Sequence, residues 1–250
     1  MPSTDASTTS GTDTGTTQTP GNEDTLELRL PDDLADFLAQ DAGDPAGGGT
    51  DPGGAALAGQ GELLDQLAGW GPAVTPVGTL RLLPVRLERD LALITRWMND
   101  SAVASSWNLA GPEAVTANHL RAQLDGDGRS VPCLGVLDGA PMSYWEIYRA
   151  DLDPVARHYP ARPHDTGVHL LIGPVAHRGR GLGSVLLRAV ADLVLDHRPS
   201  CARVVAEPDL RNFPSVSAFL TAGFRFSAEV DLPDKRAALM IRDRLLRDLM

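Results

Sequence analysis

Apolar residues fall into two regimes along this chain: sparse before Gly78, and periodic from there onward. Thr79 to Arg86 alternates apolar and polar positions as a half-buried strand does. Arg89 to Asn99 follows as a helix, with Leu93, Ile94, Trp97 and Met98 at helical spacing. Val131 to Leu137 and Met142 to Tyr148 are strand-like runs around Asp138-Gly139, a dipeptide suited to a tight hairpin turn. A polar stretch, Arg149 to Thr166, leads to a strand over Gly167 to Gly173, an Arg/Gly-rich loop, and a helix over Gly181 to His197. Arg203 to Glu207 reads as a strand and Pro214 to Ala222 as a helix. Ala228 to Leu232 and Arg236 to Ile241 form a second hairpin around Pro233-Asp234, before a short terminal helix. The order is β-α-(α)-β-β-β-α-β-α-β-β, an α/β fold class with no internal repeat.

Residues 1–77 read as an extension. Met1 to Asn22 is half Thr and Ser and lacks the apolar surface to offset ordering entropy, so disorder is expected. Residues 31–40 (Leu34, Phe37, Leu38) and 62–70 (Leu63, Leu64, Leu67, Trp70) are short amphipathic segments, read as weak helices or as docking elements. Between them, Gly43 to Gly61 has the Gly/Ala/Pro content of a flexible linker.

Charge sharpens that division. The chain of 250 residues has formal net charge −11, but residues 1–78 hold 13 acids and one base, and residues 79–250 hold 20 acids and 21 bases. The body is near neutral, and neither half has the basic surface that nucleic acid or anionic lipid requires. Cys133 and Cys201 are too few for a disulfide framework or zinc knuckle. The N-terminus has no apolar signal core, and Arg188 and Asp192 interrupt the longest apolar helix, Leu182 to Leu195. A soluble, cytoplasmic protein without membrane or nucleic-acid partners is expected.

The most informative stretch is Gly173-Pro174-Val175-Ala176-His177-Arg178-Gly179-Arg180-Gly181-Leu182-Gly183-Ser184, between an apolar strand and an amphipathic helix. Its glycines let backbone N–H groups approach an anion, at a point where the helix adds partial positive charge. Arg178 and Arg180 flank the turn and suit a pyrophosphate. Alone, the pattern also fits an ordinary Gly-rich turn with solvated arginines; it is neither a dinucleotide fingerprint nor a P-loop.

Arg178-x-x-Gly181-x-Gly183 resembles the (Q/R)-x-x-G-x-(G/A) motif of the GCN5-related N-acetyltransferases, and Asn212, Phe219 and Gly223-Phe224 resemble a second family element. The resemblance covers Gly78 to Met250. A narrower one rests on Trp97-Met98-Asn99-Asp100, Trp107, Ser143-Tyr144-Trp145-Glu146-Ile147-Tyr148, His164-Asp165-x-Gly167-x-His169 and Ala206-Glu207-Pro208-Asp209-x-Arg211-Asn212. These are similar to the siderophore branch, whose members acylate N-hydroxylated lysine, ornithine or diamines to hydroxamates.

The resemblance implies a mixed, mostly antiparallel sheet flanked by helices, with a splayed central strand pair. It implies an acyl coenzyme A donor (acetyl, succinyl or longer), a hydroxylated amine acceptor, and a monomer or homodimer. For the coenzyme it points to the backbone of Leu171 and Ile172 and to Arg178, Gly179, Arg180, Gly181, Gly183, Ser184 and Asn212. His169 is implied as general base and Asp209 as completing the acceptor site; alone, a mid-strand His also fits the core, and Asp209 a turn. By strand alternation His169 shares a face with Leu171, opposite Val168, Leu170 and Ile172, and an imidazole of ordinary pKa about 6.5 is largely neutral. Trp107, Tyr144, Trp145 and Glu146 are candidates for the acceptor pocket, with core packing the alternative for the aromatic residues. Arg149 to Asp165, with Arg157, His158 and Arg162, is a solvated loop or a lid that recognises a carboxylate. His158, His164 and His169 lack zincin spacing, so no metal is assigned. Phe219 stands where many of the wider superfamily carry a tyrosine acid for the leaving thiolate. Other readings are acetylation of an amine metabolite or antibiotic, and a non-catalytic scaffold that keeps coenzyme A.

Overall fold

The computed structural model describes Leu64 and residues 67–249. One eight-stranded sheet organises them: β1 (Ala73–Thr75), β2 (Gly78–Pro84), β3 (Ser130–Leu137), β4 (Ala140–Arg149), β5 (Thr166–Ile172), β6 (Arg203–Ala206), β7 (Arg225–Asp231) and β8 (Arg236–Asp243). The strand order is β1-β2-β3-β4-β5-β6-β8-β7, antiparallel except between β5 and β6. The helices are α1 (Leu87–Met98), α2 (Ser101–Trp107), α3 (Glu113–Leu124), α4 (Leu182–His197) and α5 (Phe213–Thr221). None among the described residues is long and apolar enough to cross a membrane.

Two-residue alternation sorts the strand side chains onto two faces. On one, Trp145, Ile147, Val168 and Val204 pack against Leu186, Leu187, Val190 and Val194 of α4. On the other, Leu134, Tyr144 and Leu171 pack under Ile94, Trp97 and Met98 of α1, with Val103 and Leu120. Under the 150s turn, Tyr148, Val205 and Leu239 meet Val155 and Tyr159. His169 falls on the face opposite α4, as alternation requires.

Asp138 and Gly139 both adopt positive φ (47° and 84°), the geometry of a two-residue hairpin that matches strand twist. The sheet extends N-terminal of Gly78, because β1 pairs with β2 and Leu64 and Leu67 are buried in the α4-side core. Trp70 stacks on His197 with ring centroids 5.3 Å apart. The sequence pattern places these apolar residues in the extension, because a three-residue strand is too short to show alternation. Segment 31–40, the linker and the Thr/Ser-rich start lie outside the described residues. The described residues end in a 3-10 turn, Arg244–Leu249.

The feature that positions the site is where β5 leaves β6. β5 pairs with β4 from Thr166 to Ile172, but with β6 only at Thr166 and Gly167. Gly167 lies opposite Tyr148, and a Cβ there would sit 2.0 Å from the tyrosine ring. The ring is buried and hydrogen-bonded, so it cannot yield cheaply. Gly167→Ala is expected to cost about 1–3 kcal/mol through overpacking, measured as a lower urea midpoint at unchanged slope.

Candidate active site

Beyond Gly167 the parting strands open a cleft divided into two chambers. In the first, of about 380 Å³, His169 projects from β5 and Glu146 from the paired position on β4. Glu207 enters where β6 ends, just before Pro208. The imidazole bridges the two carboxylates: Nδ1 is 2.9 Å from Glu146 Oε2 and Nε2 is 2.5 Å from Glu207 Oε1. Glu146 Oε1 is met by His119 of α3 at 2.5 Å, Gln123 at 2.8 Å and the Tyr144 hydroxyl at 2.9 Å. The Tyr148 hydroxyl donates to Glu207 Oε2 at 2.8 Å, and Lys235 Nζ stands 3.9 Å from Glu207 Oε1. Trp107 presents its indole edgewise to His169, at 6.1 Å between centroids.

Both carboxylates are buried, at 7 % exposure each, so their charge must be balanced locally. Burial opposes ionisation of Glu146, but hydrogen bonds from His119 and His169 hold it well below the usual carboxylate range. Burial also opposes ionisation of Glu207, but attraction to His169 and its hydrogen bond bring it down to about 2. For His169 burial disfavours the charge, yet the pull of Glu207 and the bonds to both carboxylates raise it to about 10. The ring is therefore an imidazolium at neutral pH, donating from both nitrogens, and not the neutral acceptor that an isolated imidazole would be.

Asp209 lines the same chamber, but its oxygens are taken by Arg211: backbone N to Oδ1 at 2.7 Å and Nη2 to Oδ2 at 2.7 Å. Those bonds hold its carboxyl down to about 2. Nε2 of His169 meets Glu207 and not Asp209. Trp145 does not reach the acceptor chamber. It is fully buried on the α4 face, its Nε1 donating to Ser143 Oγ at 2.8 Å, because position 145 alternates away from Glu146. Tyr144 is also buried and meets the chamber from behind, through its hydrogen bond to Glu146 and its edge contact with Trp107. Arg157, His158 and Arg162 are not among the lining residues; Arg211 and Lys235 are. The 150s segment is tied down by Arg203, which binds Asp165, and by the Tyr159–Asp165 hydrogen bond.

The second chamber, about 480 Å³, runs from Leu170, Leu171 and Ile172 to Arg178, Gly179, Gly181, Gly183 and Ser184. Gly179 and Gly181 take φ of +69° and +78°, and α4 begins with no side-chain cap. The first-turn N–H groups of α4 therefore face this chamber without a protein acceptor from a capping side chain, which fits a pyrophosphate. Arg178 is occupied otherwise than expected. Its Nε donates to Ile172 O at 2.8 Å, Nη2 to Gly173 O at 2.7 Å, and Nη1 to Asp100 at 2.6 Å. It clamps the loop to the end of β5 and the start of α2. Arg180 is exposed and does not line the chamber; its one hydrogen bond, to Ala176 O, is long at 3.5 Å.

Ser106, Trp107, Leu170, Asn212, Ser215 and Phe219 line both chambers. Asn212 caps α5 by accepting from Ser215 N at 3.2 Å, and its Nδ2 donates to Ser106 Oγ at 3.2 Å across the cleft. Sequence reasoning passed over Glu207 as a site residue, although it stood in a quoted motif, and missed His119 and Gln123 altogether. The available signal for Glu207 was an acid ending an apolar strand immediately before proline.

A model of the GNAT acetyltransferase domain matches residues 86–232. The chain belongs to the GNAT acetyltransferase family. Among curated proteins, it is 35 % identical over 167 residues to "Lysine N-acyltransferase MbtK" of Mycobacterium sp. (strain MCS), covering 67 % of this chain and 68 % of that protein. It is 36 % identical over 155 residues to "N(6)-hydroxylysine O-acetyltransferase" of Escherichia coli, covering 62 % of this chain and 49 % of that one. Among solved structures, aminoglycoside acetyltransferase AAC(6')-Ib in complex with coenzyme A superposes with a TM-score of 0.60 at 26 % identity, covering 68 % of this chain and 97 % of that one. These GNAT relatives agree with the mixed sheet and with acyltransferase chemistry.

The charge cluster makes stability depend on pH in both directions. His169, raised from 6.5 to about 10, contributes fully below about 6.5, and that share is lost as pH climbs through about 10. Glu207, lowered from 4.5 to about 2, contributes fully above about 4.5, and its share is lost as pH falls through about 2. The stability gap between wild type and Glu207→Gln is therefore expected to be widest at about pH 4.5–6.5 and to narrow on either side. Urea denaturation of both proteins across pH at constant ionic strength measures it.

Proposed function

We propose that this GNAT acyltransferase uses acyl coenzyme A to acylate the nitrogen of an N-hydroxylated amine of the lysine, ornithine or cadaverine type, giving the hydroxamate of a siderophore. The carrying observation is that two chambers share a wall at Leu170 and Phe219, one beside an uncapped helix N-terminus, the other around the Glu146–His169–Glu207 cluster. Acyl coenzyme A supplies an activated thioester carbonyl. In this reading the N–H groups of the 179–184 loop hold its pyrophosphate, Arg178 keeps that loop in place, and the β5 backbone past Gly167 faces the thioester. The acceptor lies in the chamber of Trp107, Glu146, Glu207, Asp209 and Lys235, with its nitrogen near the acid cluster.

Two features bear on the leaving group and on the acceptor. Phe219 has no proton to give a leaving thiolate, so the thiolate leaves as such or is protonated by solvent. The names of the curated relatives point to lysine and hydroxylysine acceptors.

The test is coenzyme A release with N-hydroxylated and unmodified lysine, ornithine and cadaverine, across acetyl, succinyl and longer thioesters. Turnover is expected with at least one hydroxylamine and at least tenfold lower kcat/KM with its unmodified counterpart. Turnover confined to unmodified amines would replace this reading with modification of an amine metabolite or antibiotic. Coenzyme A binding without turnover of any acceptor would leave a scaffold.

A further inference from the structure

We infer that Glu207, and not His169, is the group that takes the proton from the acceptor nitrogen, with His169 as the positioning residue that keeps Glu207 ionised and aimed. The inference rests on the functional reading above and concerns the acceptor chamber of that same site.

It follows from counting lone pairs. A carboxylate offers about four acceptor sites, and a base needs one free where substrate can reach it. Glu146 is the most heavily bonded: His119, Gln123 and Tyr144 crowd Oε1 and His169 holds Oε2, four donors all within 2.9 Å. Asp209 is held by three donors, the backbone N, Nε and Nη2 of Arg211, with Nε reaching both oxygens. His169 has no lone pair to offer, since each ring nitrogen faces a carboxylate, at 2.9 and 2.5 Å. Glu207 has two donors within hydrogen-bond distance, His169 and Tyr148, while Lys235 stands off at 3.9 Å. It lines the chamber, and of Glu146, Asp209 and Glu207 it has the fewest donors; Asp234, the fourth carboxylate of the lining, is exposed on the turn between β7 and β8, away from the bridging ring.

The chemistry balances with Glu207 in this role. The nitrogen lone pair adds to the thioester carbonyl, forming the C–N bond. The nitrogen then carries a proton far more acidic than that of the free hydroxylamine, so even a carboxylate of low basicity accepts it. The C–S bond breaks, the electron pair leaves on sulfur, and the thiolate takes one proton from solvent. Glu207 returns its proton to solvent, and the products are hydroxamate and free thiol with no net change in proton count. His169, fixed between two carboxylates, holds its charge throughout and neither gives nor takes a proton.

Three variants and one additive decide the matter. Glu207→Gln preserves shape without basicity and is expected to lose about 10²–10⁴ in kcat, with acceptor affinity by calorimetry within about threefold of wild type. Glu207→Asp keeps a carboxylate and should retain at least tenfold more kcat than Glu207→Gln. Glu207→Ala opens space at the site, and formate, a small carboxylate, should raise its kcat at least tenfold. Glu207→Gln within threefold of wild-type kcat, Asp no better than Gln, or no gain from formate would each overturn the assignment. These outcomes presuppose turnover by wild type: its absence with every hydroxylamine would overturn the functional reading and this one together, whereas wild-type turnover with Glu207→Gln intact would overturn only this one.

Discussion

The separation of β5 from β6 after Gly167 is the constraint on which the rest of the molecule hangs. A strand in mid-sheet normally has both edges paired, yet β5 keeps only its β4 edge from Val168 to Ile172. Two local features mark the point where the ladder ends. The Tyr148 ring fills the space beside Gly167, and β6 ends at Ala206, two residues before Pro208, which has no N–H to donate. The parted backbone then opens the cleft that the loop before α4 and the segment after β6 both border. One interruption in pairing thus creates both chambers and decides that they touch.

Placing two carboxylates at that junction creates an electrostatic problem that the surrounding elements solve. Removing one buried partner from a charge pair typically costs more than the pair is worth, because the other charge is left stranded. Here the imidazolium sits between the acids, and three further donors from α3 and β4 reach Glu146. Tyr148 connects the same network to the packing that parts the strands, since its ring lies over Gly167 and its hydroxyl holds Glu207. The site's charge and the sheet's geometry are therefore not independent: a change at Tyr148 would disturb both.

How much of this the sequence carried follows from the range of each interaction. Local patterns were legible: the Asp138-Gly139 turn, the face on which His169 falls, the glycines before α4, and the order of elements. The strand at Ala73–Thr75 was not, being too short for a period and held by pairing and by burial of neighbours such as Leu64 and Leu67. Trp145 was placed in the pocket through its motif neighbour Glu146, although adjacent strand positions face opposite ways. The protonation of His169 was out of reach, because its partners stand 23 and 38 residues away and become neighbours only through β4–β5 pairing and the end of β6. Charge and the loop motif both assign Arg178 to the pyrophosphate. Its three partners, two of them backbone carbonyls at the end of β5, are visible only once the loop is folded.

The low basicity of the cluster bears on which acceptor it can serve. A lysine-type ammonium, with pKa about 10.4, must lose a proton before its nitrogen can attack. A carboxylate held near 2 cannot remove that proton to any useful extent, and the flanking imidazolium has none of its own capacity to spare. Such a site can still receive a proton from nitrogen once the C–N bond has formed, when that nitrogen has become strongly acidic. It is consequently competent for nucleophiles that arrive uncharged, as a hydroxylamine mostly does at neutral pH, and poor for those that arrive as ammonium. On the functional reading proposed here, discrimination against the unmodified amine needs no contact with the hydroxyl group. It follows from two buried carboxylates sharing one protonated ring.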